Sequence, residues 1–533
     1  MFEKLRTVIA RAIAPRQQAV STRMYAGARG GRLATNFGTS SGSADAELQS
    51  SLRNLRARSS QLLRDSAYAR RAQKIIVDNV IGATGIGMQS KVQSEGALAK
   101  TINADIEEQW CKWADGDGCN VGGQLCFADM ERVLMKQVFR SGEVGVRLHL
   151  RSFGSSKVPL AMEIVEAERL ADELSHVANR QVINQVRLGV ELDSFFRPVA
   201  YYVRQNHPGD IIYTSIPSVT DTFERVPAEV FFHIRIVDRW PQTRGEPWLC
   251  AVMRKLNDMD GYSEAEIIAA RASANLVFTK KQAGNGPIVT MGQKQADGSE
   301  QFEIEPGMGI NLLAGEELDM HNPARPNAAL DPFMRYMLRE MAAGIDVPYS
   351  ALSMDLSQTN YSSSRLGILE ARDSWRSLQW WWIRTFRAPL HRIWLRQAVY
   401  SGATAKVPLE RYLIDPSRFE KVAFRPRGWD WVDPSKDIAS YKEAIKAGLT
   451  TRTQVVAQTA NGMDVEELDD ERAAEIEYAE ELGLQYDTDP AAYMAAAQPQ
   501  AKPAIAAEDP PPDDGTDGSN QTDPQARVVS FRR

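Results

Sequence analysis

Cysteine is scarce in this chain: Cys111, Cys119, Cys126 and Cys250 are its four cysteines in 533 residues, and no two of them form a CxxC pair. Structural zinc sites and small disulfide scaffolds both depend on closely spaced cysteines. The spacing therefore excludes both classes. Four scattered thiols are typical of a protein that works in a reducing compartment.

Long apolar runs are also missing, because no stretch of 18 uncharged apolar residues occurs. A membrane-spanning helix needs about 20 such residues, so we expect no membrane partner. The first fourteen residues mix apolar side chains with Lys4, Arg6 and Arg11, and Arg11 interrupts any signal-peptide core. This pattern predicts an amphipathic helix rather than an export signal.

Motifs of catalysis and of cofactor binding are few. No Gly-Lys dipeptide occurs, which excludes a Walker A phosphate loop, and no HExxH zinc motif is present. The loop from Asp115 to Asn120 places Cys119 and Asn120 where a calcium loop needs an oxygen ligand and a glycine, so a turn is predicted. We therefore expect no metal ion, no cofactor and no catalytic residue.

One nucleophile motif remains, because the stretch from Gly38 to Gly42 reads GTSSG and matches GxSxG. In hydrolases this motif lies between a strand and a helix, which hold the serine in a strained turn. Here it lies within 27–43, a Gly/Ser/Ala-rich segment typical of a flexible linker. A serine hydrolase that uses Ser40 or Ser41 remains an alternative function.

The net charge of −6 hides an asymmetry along the chain. Residues 1–74 contain 14 Lys/Arg and 4 Asp/Glu, a net of +10, and the remainder contains 49 basic and 65 acidic residues, a net of −16. Such a basic segment predicts contact with a polyanion or with an acidic partner surface. A solvated basic terminus is the other interpretation.

Hydrophobic periodicity predicts an α+β fold. The predicted helices lie at about 46–80, 101–114, 127–139, 247–275 and 365–400, and another begins with Asp331 as its N-cap and stops at Gly344. The predicted strands lie at 143–150, 186–192, 198–203, 229–237, 276–280, 287–291, 302–305 and 310–313. A small helical module is predicted at 433–485, and the Pro/Ala/Asp-rich end after it is predicted to be disordered.

The predicted helix at 365–400 has one continuous apolar face with arginines beside it. Its members are spaced three or four residues apart: Trp375, Leu378, Trp382, Phe386, Leu390 and Ile393. Such a face is typical of core packing. Pro389 lies within the helix and predicts a kink there. The arginines are suited to binding phosphate or to meeting an acidic neighbouring subunit.

A colinear series of segments between about residues 70 and 490 resembles the portal proteins of lambda-type tailed bacteriophages. The most specific lies within FMRYMLREMAAGIDVPYSALSMDLSQTNYSSSRLGILEARDSW at 333–375. The others, in chain order, are WCKWADGDGCNVGG (110–123), SGEVGVRLHLR (141–151), RGEPWL (244–249), PGMGINLLAGEELDMHNPARP (306–326) and DWVDPSKDIASYKEAIKAGLTTRTQVV (430–456).

This resemblance implies a ring subunit with wing, stem, clip and crown regions. The expected boundaries are a flexible basic N-terminal arm at 1–45, an α+β wing at 46–246, a first stem helix at 247–275, a small β-rich clip at 276–326, a second stem helix at 327–345, a tunnel loop at 346–364, a kinked wing helix with its following segment at 365–432, a helical crown at 433–487 and a disordered tail at 488–533.

The resemblance also implies a function without enzymatic activity. A ring, typically of twelve copies, lies at one vertex of the capsid and conducts double-stranded DNA, without sequence specificity, during packaging and ejection. The implied partners are the large subunit of terminase, later the head-completion or connector proteins, and the major capsid and scaffold proteins. The ring would be assembled in the bacterial cytoplasm and then reside in the virion. Another collar or adaptor protein of the virion is the second alternative.

The tunnel loop is the candidate site for DNA contact. Its residues are polar and mostly uncharged: Ser353, Asp355, Ser357, Gln358, Thr359 and Asn360. Lysine or arginine contacts to phosphate would hold DNA strongly, whereas these side chains offer weak contacts that do not depend on base sequence. The sequence therefore predicts a loop over which DNA slides.

Overall fold

The computed structural model describes residues 41–92, 97–177, 184–210, 223–274, 278–282, 293–294, 300–301, 316–320, 329–357, 361–429, 434–459 and 465–484. The chain divides into two units, Met1–Asp464 and Val465–Arg533. In the described part, helices and strands are both present, as the α+β prediction requires.

The described helices are numbered in chain order. They are α1 Ala44–Asp65, α2 Ala67–Val80, α3 Ala97–Ala114, α4 Phe127–Ser141, α5 Met253–Ala274, α6 Leu330–Ile345, α7 Tyr349–Ser353, α8 Tyr361–Trp382, α9 Ala388–Tyr400, α10 Leu409–Ile414, α11 Pro434–Lys446, α12 Arg452–Thr459 and α13 Val465–Leu482. A π-helical turn, Ile383–Arg387, joins α8 to α9.

The described strands are β1 Gly87–Ser90, β2 Glu143–His149, β3 Ala161–Val165, β4 Gln185–Arg187, β5 Val190–Leu192, β6 Pro198–Arg204, β7 Phe223–Pro227, β8 Phe231–Arg235, β9 Phe278–Gln282, β10 Gln293–Lys294, β11 Glu300–Gln301, β12 Glu316–Met320 and β13 Val422–Arg425. They form antiparallel sheets in the orders β3-β2-β8, β4-β5-β6-β7, β1-β13, β9-β12 and β10-β11.

The predicted helix at 46–80 is two helices. Ser43 caps the first, since its Oγ accepts a hydrogen bond from the backbone N–H of Ala46 at 3.2 Å. Ser66 has extended backbone angles, so the chain turns a corner between α1 and α2. Both helices contact α4, and the apolar side chains between them are buried.

The prediction of one continuous strand at 186–192 is wrong. The structure has two short strands there, β4 and β5, which form the two arms of a tight hairpin. Leu188 and Gly189 form its turn, with φ of 50° and 82°. Two successive residues with positive φ are the signature of a hairpin turn whose twist matches that of the strands. The alternation of apolar residues continues through the turn, so periodicity alone could not reveal it.

A buried ionic cluster joins α1, β2, β8 and the segment that follows β8. Oε1 of Glu143 accepts hydrogen bonds from Arg56 at 2.7 Å and from Arg244 Nε at 2.6 Å. Its Oε2 accepts from His233 Nε2 at 2.9 Å and from the backbone N–H of Gly245 at 2.7 Å. All four of these side chains are buried.

Neighbouring charges set the protonation states in this cluster. Burial alone would raise the pKa of Glu143, but Arg244 and Arg56 outweigh it and hold the pKa well below its usual range. Burial and the neighbouring Arg235 lower the pKa of His233 to about 4, so this histidine is neutral at pH 7. Arg244 also donates to the carbonyl oxygens of Leu188 and Ala167, which ties the β4–β5 turn to the same point.

The two long helices on either side of the β9–β12 region differ from their predicted bounds. The sequence predicts a start at Pro247 for the first, but α5 begins at Met253 because the chain from Pro247 to Val252 forms turns. In α6 the N-cap is Ala329 rather than Asp331, and Asp331 accepts a hydrogen bond from Arg335 Nε at 3.0 Å. The rings of Tyr262 and Phe333 lie 5.0 Å apart and connect the two helices.

Gly344 does not end its helix, contrary to the prediction. α6 continues to Ile345 and ends at Asp346, which has a left-handed backbone with φ of 62°. Gly344 is needed for close packing instead, since a Cβ atom there would lie 2.5 Å from Cγ1 of Val252. Val252 is buried, so the helix approaches this segment at a distance that only glycine allows.

Part of the predicted β-rich region lies outside the described residues. The strand predicted at 276–280 overlaps β9, which pairs with β12 in the register Phe278 to Met320. The predicted strands at 287–291, 302–305 and 310–313 lie outside the described residues.

Gly344→Ala should lower the stability of the protein. The new methyl group would overlap a buried, β-branched valine, and overpacking of this kind costs about 1–3 kcal/mol. The measurement is the midpoint of urea unfolding. Gly261→Ala and Gly367→Ala are matched controls, since both glycines are helical and have nothing within 4 Å of an added Cβ.

These control variants should be unchanged or more stable by about 0.5–1 kcal/mol, because alanine is the better helix former. Equal midpoints for all three variants would contradict the close approach of α6 to Val252.

Candidate functional site

The segment between α6 and α8 is the predicted tunnel loop, and its first half is well ordered by hydrogen bonds. Asp346 ends α6, and its carboxylate accepts a hydrogen bond from the Ser374 hydroxyl on α8. The indole N–H of Trp248 donates to the carbonyl oxygen of Ile345 at 3.0 Å. The short helix α7 follows, so the segment leaves α6 in a defined direction.

Asp355 organises the turn after α7. Its Oδ1 accepts hydrogen bonds from the Ser357 backbone N–H at 3.0 Å and from the Ser357 hydroxyl at 2.6 Å. Its Oδ2 accepts from the Tyr349 hydroxyl at 3.1 Å. The bonds from Ser357 lower the pKa of Asp355, so its carboxylate stays ionised at neutral pH.

This turn brings together three of the six predicted site residues, Ser353, Asp355 and Ser357. The Ser353 hydroxyl donates a hydrogen bond to the Tyr349 carbonyl oxygen at 2.8 Å and accepts one from the Asp355 N–H at 3.2 Å. The polar groups of Ser353, Asp355 and Ser357 are therefore used within the turn. Gln358, Thr359 and Asn360 lie outside the described residues.

Two apolar side chains at the turn were missed by the sequence analysis. Met354 is 69% exposed and Leu356 is 65% exposed, although both are large and hydrophobic. Met354 also has a left-handed backbone, with φ of 58°. The surface that this turn presents is thus a mixture of apolar side chains and hydrogen-bonded polar groups, with little charge to hold a polyanion.

Basic residues of α2 and α6 lie against this segment. Arg71 of α2 donates through Nε to the carbonyl oxygen of Ala351 at 3.1 Å. Arg335 Nε is 3.7 Å from the Asp355 carboxylate, and the Arg339 guanidinium lies 5.4 Å from the centre of the Tyr349 ring. No sequence signal marks the contact of Arg71, since 280 residues separate it from Ala351.

A groove of about 560 Å³ separates the end of α6 and α7 from α8. Val347, Pro348 and Ile368 form part of its apolar lining, and Asp346 and Glu370 contribute the acidic groups. The groove places the predicted tunnel loop beside the first turns of α8. The position of α8 therefore decides how this loop is held.

The apolar face predicted on 365–400 packs into the core. Trp375, Trp382, Phe386 and Leu390 are buried, and Leu378 and Ile393 are partly buried against the same core. The interruption near Pro389 takes the form of a π-helical turn, in which the Ala388 N–H bonds to the carbonyl of Ile383 five residues back. Proline has no N–H and collides with the carbonyl four residues before it, which a wider turn relieves.

A buried ion pair fixes this π-helical turn to α4. Glu131 Oε1 accepts a hydrogen bond from the Trp382 indole at 3.0 Å and lies 3.1 Å from Nε of Arg387. Burial raises the pKa of Glu131 and lowers that of Arg387, and each charge opposes the shift of the other. The Arg387 guanidinium lies 4.7 Å from the centre of the Phe127 ring.

His391 is buried in an aromatic cluster one turn further along. Its ring lies 5.8 Å from Trp110, 6.0 Å from Trp394 and 6.3 Å from Phe424, between ring centres. Neither ring nitrogen has a hydrogen-bond partner among the described residues. Burial, followed by the charges of Arg387 and Arg392, lowers the pKa of His391 to about 3.

The loop that resembles a calcium site has a structural explanation. Asp117, in the loop that resembles a calcium site, accepts hydrogen bonds from the Ser155 N–H at 3.0 Å and hydroxyl at 2.9 Å. No group of His, Cys, Asp or Glu in the described part of the chain could hold a metal ion. Ser41 is exposed just before α1, and Ser40 lies outside the described residues.

Within the described ranges, no helix is long and apolar enough to cross a membrane. The four cysteines are free thiols.

Residues 30–379 match a family described as phage portal protein, lambda family. The chain belongs to this family. Portal proteins are structural components, so the match assigns a structural role. The predicted relationship, which rested on colinear segments of sequence, is confirmed.

Two curated relatives extend the similarity over nearly the whole chain. A protein named "Probable portal protein" from Halomonas phage phiHAP-1 is 28% identical over 88% of this chain and 89% of its own length. Portal protein B of Escherichia phage lambda is 23% identical over 90% of this chain and 93% of its own length.

Solved structures with a similar chain come from gene transfer agent particles. One is the neck of an empty particle, with a TM-score of 0.41 and 12% identity over 75% of this chain and 92% of that chain. Another is the neck of a native particle, with a TM-score of 0.40 and 12% identity over 75% of this chain and 93% of that chain.

His391→Leu should reduce the acid sensitivity of this portal family member. The wild-type histidine has a folded-state pKa of about 3, below the value of about 6.5 in an unfolded chain. Between these values the unfolded state binds the extra proton, so stability falls as the pH falls. Leucine removes this contribution, which amounts to about 2 kcal/mol between pH 7.5 and pH 5.

The measurement is the free energy of urea unfolding at the two pH values. Ile393→Leu, a conservative change on the same helix, should keep the wild-type acid dependence. An identical loss of stability in wild type and His391→Leu would show that the buried ring does not titrate on unfolding.

Proposed function

We propose that this chain forms a closed ring, of about twelve copies, at one vertex of a bacteriophage capsid. The ring conducts double-stranded DNA into the head during packaging and out of it during ejection, without reading its sequence. The observation that carries the proposal is the family match over residues 30–379, supported by phage relatives that align with 88% and 90% of the chain.

The segment between α6 and α8 is the proposed contact with DNA. A channel must let a highly charged polymer slide, and each lysine or arginine on phosphate adds affinity by releasing counterions. The described part of the turn offers Met354 and Leu356 together with serine groups that are already hydrogen-bonded. Such a surface can touch DNA in any register without holding it.

The regions of the subunit are proposed with the boundaries expected from the sequence. The wing is 46–246 with 365–432, the stem helices are 247–275 and 327–345, the clip is 276–326, the tunnel loop is 346–364 and the crown is 433–487. The contacts of α5 with α6 support the stem, because the two helices pack side by side. The basic arm is proposed at 1–45 and the tail at 488–533.

The proposed partners follow from the same assignment. The large subunit of terminase docks on the clip while DNA is packaged, and head-completion or connector proteins replace it afterwards. Major capsid and scaffold proteins surround the ring during its assembly in the bacterial cytoplasm. Capture of terminase by the full chain, abolished when residues 276–326 are replaced by a short linker, would favour a portal over another virion collar or adaptor protein.

Native mass spectrometry of the full chain tests the ring. Twelve subunits of 59.3 kDa give an assembly of about 710 kDa. A closed ring uses two different surfaces of each subunit, so the mass should be discrete and independent of protein concentration above a threshold. A monomer or dimer at all concentrations would contradict the proposal.

Gln358→Lys and Asn360→Lys test the tunnel loop. Each adds a cation to every subunit at the proposed sliding surface, and each new phosphate contact steepens the salt dependence of DNA binding. We expect impaired packaging, measured as the amount of nuclease-protected DNA per particle. Thr453→Lys, at an exposed position of α12, is the matched control and should package normally. Normal packaging by both loop variants would remove 358–360 from the channel surface.

A further inference from the structure

A basic cleft lies at the corner between α1 and α2. It has a volume of about 380 Å³, and its lining includes four basic side chains, Arg64, Arg70, Arg71 and Lys74. Asp65 is the one acidic residue of the lining. Basic side chains therefore outnumber acidic ones four to one in the lining of the cleft.

Two of these cations are available to a ligand. Lys74 is paired with Asp78 at 2.6 Å, and Arg71 is hydrogen-bonded to the Ala351 carbonyl. Arg70 donates to the backbone carbonyl of Arg64 at 3.2 Å, which holds its guanidinium over the corner without neutralising it. Arg64 and Arg70 are both exposed, and neither has a carboxylate partner among the described residues.

The backbone at this corner adds to the same potential. Ser66 is the N-cap of α2 but makes no side-chain capping bond, and Ala67 is the first residue of the helix. The first N–H groups of a helix have no acceptor within the helix, and they carry a partial positive charge. Guanidinium groups beside such N–H groups match the tetrahedral, multiply charged oxygens of a phosphate.

The lining of the cleft has more basic than acidic side chains. Asp260 of α5 lies near Ser66 at the same corner. Asp260 does not line the cleft. A phosphate in the cleft would thus meet two unpaired arginines and one carboxylate, that of Asp65.

The position of the cleft indicates which phosphate it meets. Arg71 lines the cleft and also reaches the proposed tunnel loop, where its Nε is 3.1 Å from the Ala351 oxygen and its Nη2 is 3.2 Å from the Met354 sulfur. The cleft and the loop are therefore neighbours on one subunit. A polymer of phosphates that passes the loop would pass the cleft as well.

We propose that the α1–α2 cleft binds a backbone phosphate of the DNA, through Arg64 and Arg70, beside the sliding surface of the tunnel loop. This inference rests on the proposed function. One such contact per subunit is weak, independent of base sequence and sensitive to salt. Repeated around a ring, it holds packaged DNA in place while the loop itself stays free of cations.

The test compares two double variants of the full-length ring. The cleft variant carries both Arg64→Gln and Arg70→Gln, and the control variant carries both Arg254→Gln and Arg411→Gln. The control pair removes the same charge from exposed arginines on α5 and α10, and Arg254 is 95% exposed. The measurement is the affinity for a fluorescent DNA duplex across a salt titration from low to physiological ionic strength. Native mass spectrometry establishes that each variant forms the same ring as wild type.

The cleft variant should bind DNA with a flatter salt dependence. The slope of log affinity against log salt should decrease by about 0.9 for each phosphate that the variant no longer neutralises, while the control keeps the wild-type slope. Equal slopes for wild type and both variants would overturn the proposal and leave the ring intact. Equal flattening in both variants would also overturn it, since any surface arginine would then serve.

Inorganic phosphate at constant ionic strength separates the two sources of phosphate. If inorganic phosphate competes with DNA for wild-type rings but not for the cleft variant, the result supports a backbone phosphate in the cleft. The other result is that phosphate raises the melting temperature of wild type but not of the cleft variant, while both bind DNA with the same affinity. That result would assign the cleft to free phosphate and overturn the DNA contact. Failure of the wild-type chain to form rings would count against the proposed function, and the phosphate effect on melting would then decide the cleft alone.

Discussion

The carboxylate of Glu143 is the point on which the first half of the fold depends. It lies at the start of β2, and its two oxygens bind Arg56 of α1, Arg244, His233 of β8 and the Gly245 backbone. Because both arginines are buried, loss of the carboxylate would leave two guanidinium charges in the interior without a counterion. Removing one partner of a buried ion pair costs about 3–5 kcal/mol. The cluster thereby fixes α1 to the sheet, and with α1 it fixes the corner where α2 begins.

A second buried carboxylate performs the same task for α8, the long helix after the proposed tunnel loop. Glu131 of α4 contacts Trp382 and Arg387, which lie at the two ends of the π-helical turn before Pro389. The turn widens where proline would otherwise collide with the helix, and the ion pair holds the widened turn in one place. α8 is therefore positioned from α4, and Ser374 on α8 in turn donates a hydrogen bond to Asp346, the first residue of the proposed tunnel loop.

The sequence predicted most of the elements and the family, but not the contacts that build the site. Periodicity identified β2, α4 and the apolar face with Trp382 and Phe386, because burial on one side of an element leaves a regular pattern. It missed the Leu188–Gly189 turn, since the apolar alternation runs through it, and it assigned Gly344 to a helix end when close packing against Val252 is the reason for that glycine. Contacts such as Arg71 with Ala351 depend on tertiary structure and leave no local pattern at all.

Under the proposed function, these positions would let one subunit combine sliding of DNA with its retention. Affinity for DNA grows with each cation placed on a phosphate, so a conduit lined with arginine would stop the polymer that it must pass. In this chain the large exposed side chains of the turn after α7 are Met354 and Leu356, whereas Arg64 and Arg70 lie to one side, in the α1–α2 cleft. Arg71 donates a hydrogen bond to the backbone carbonyl of Ala351. The proposed phosphate contact therefore uses Arg64 and Arg70, which lie beside the loop. In the proposed channel, Glu143 would position the cleft through α1, and Glu131 would position the segment between α6 and α8 through α8.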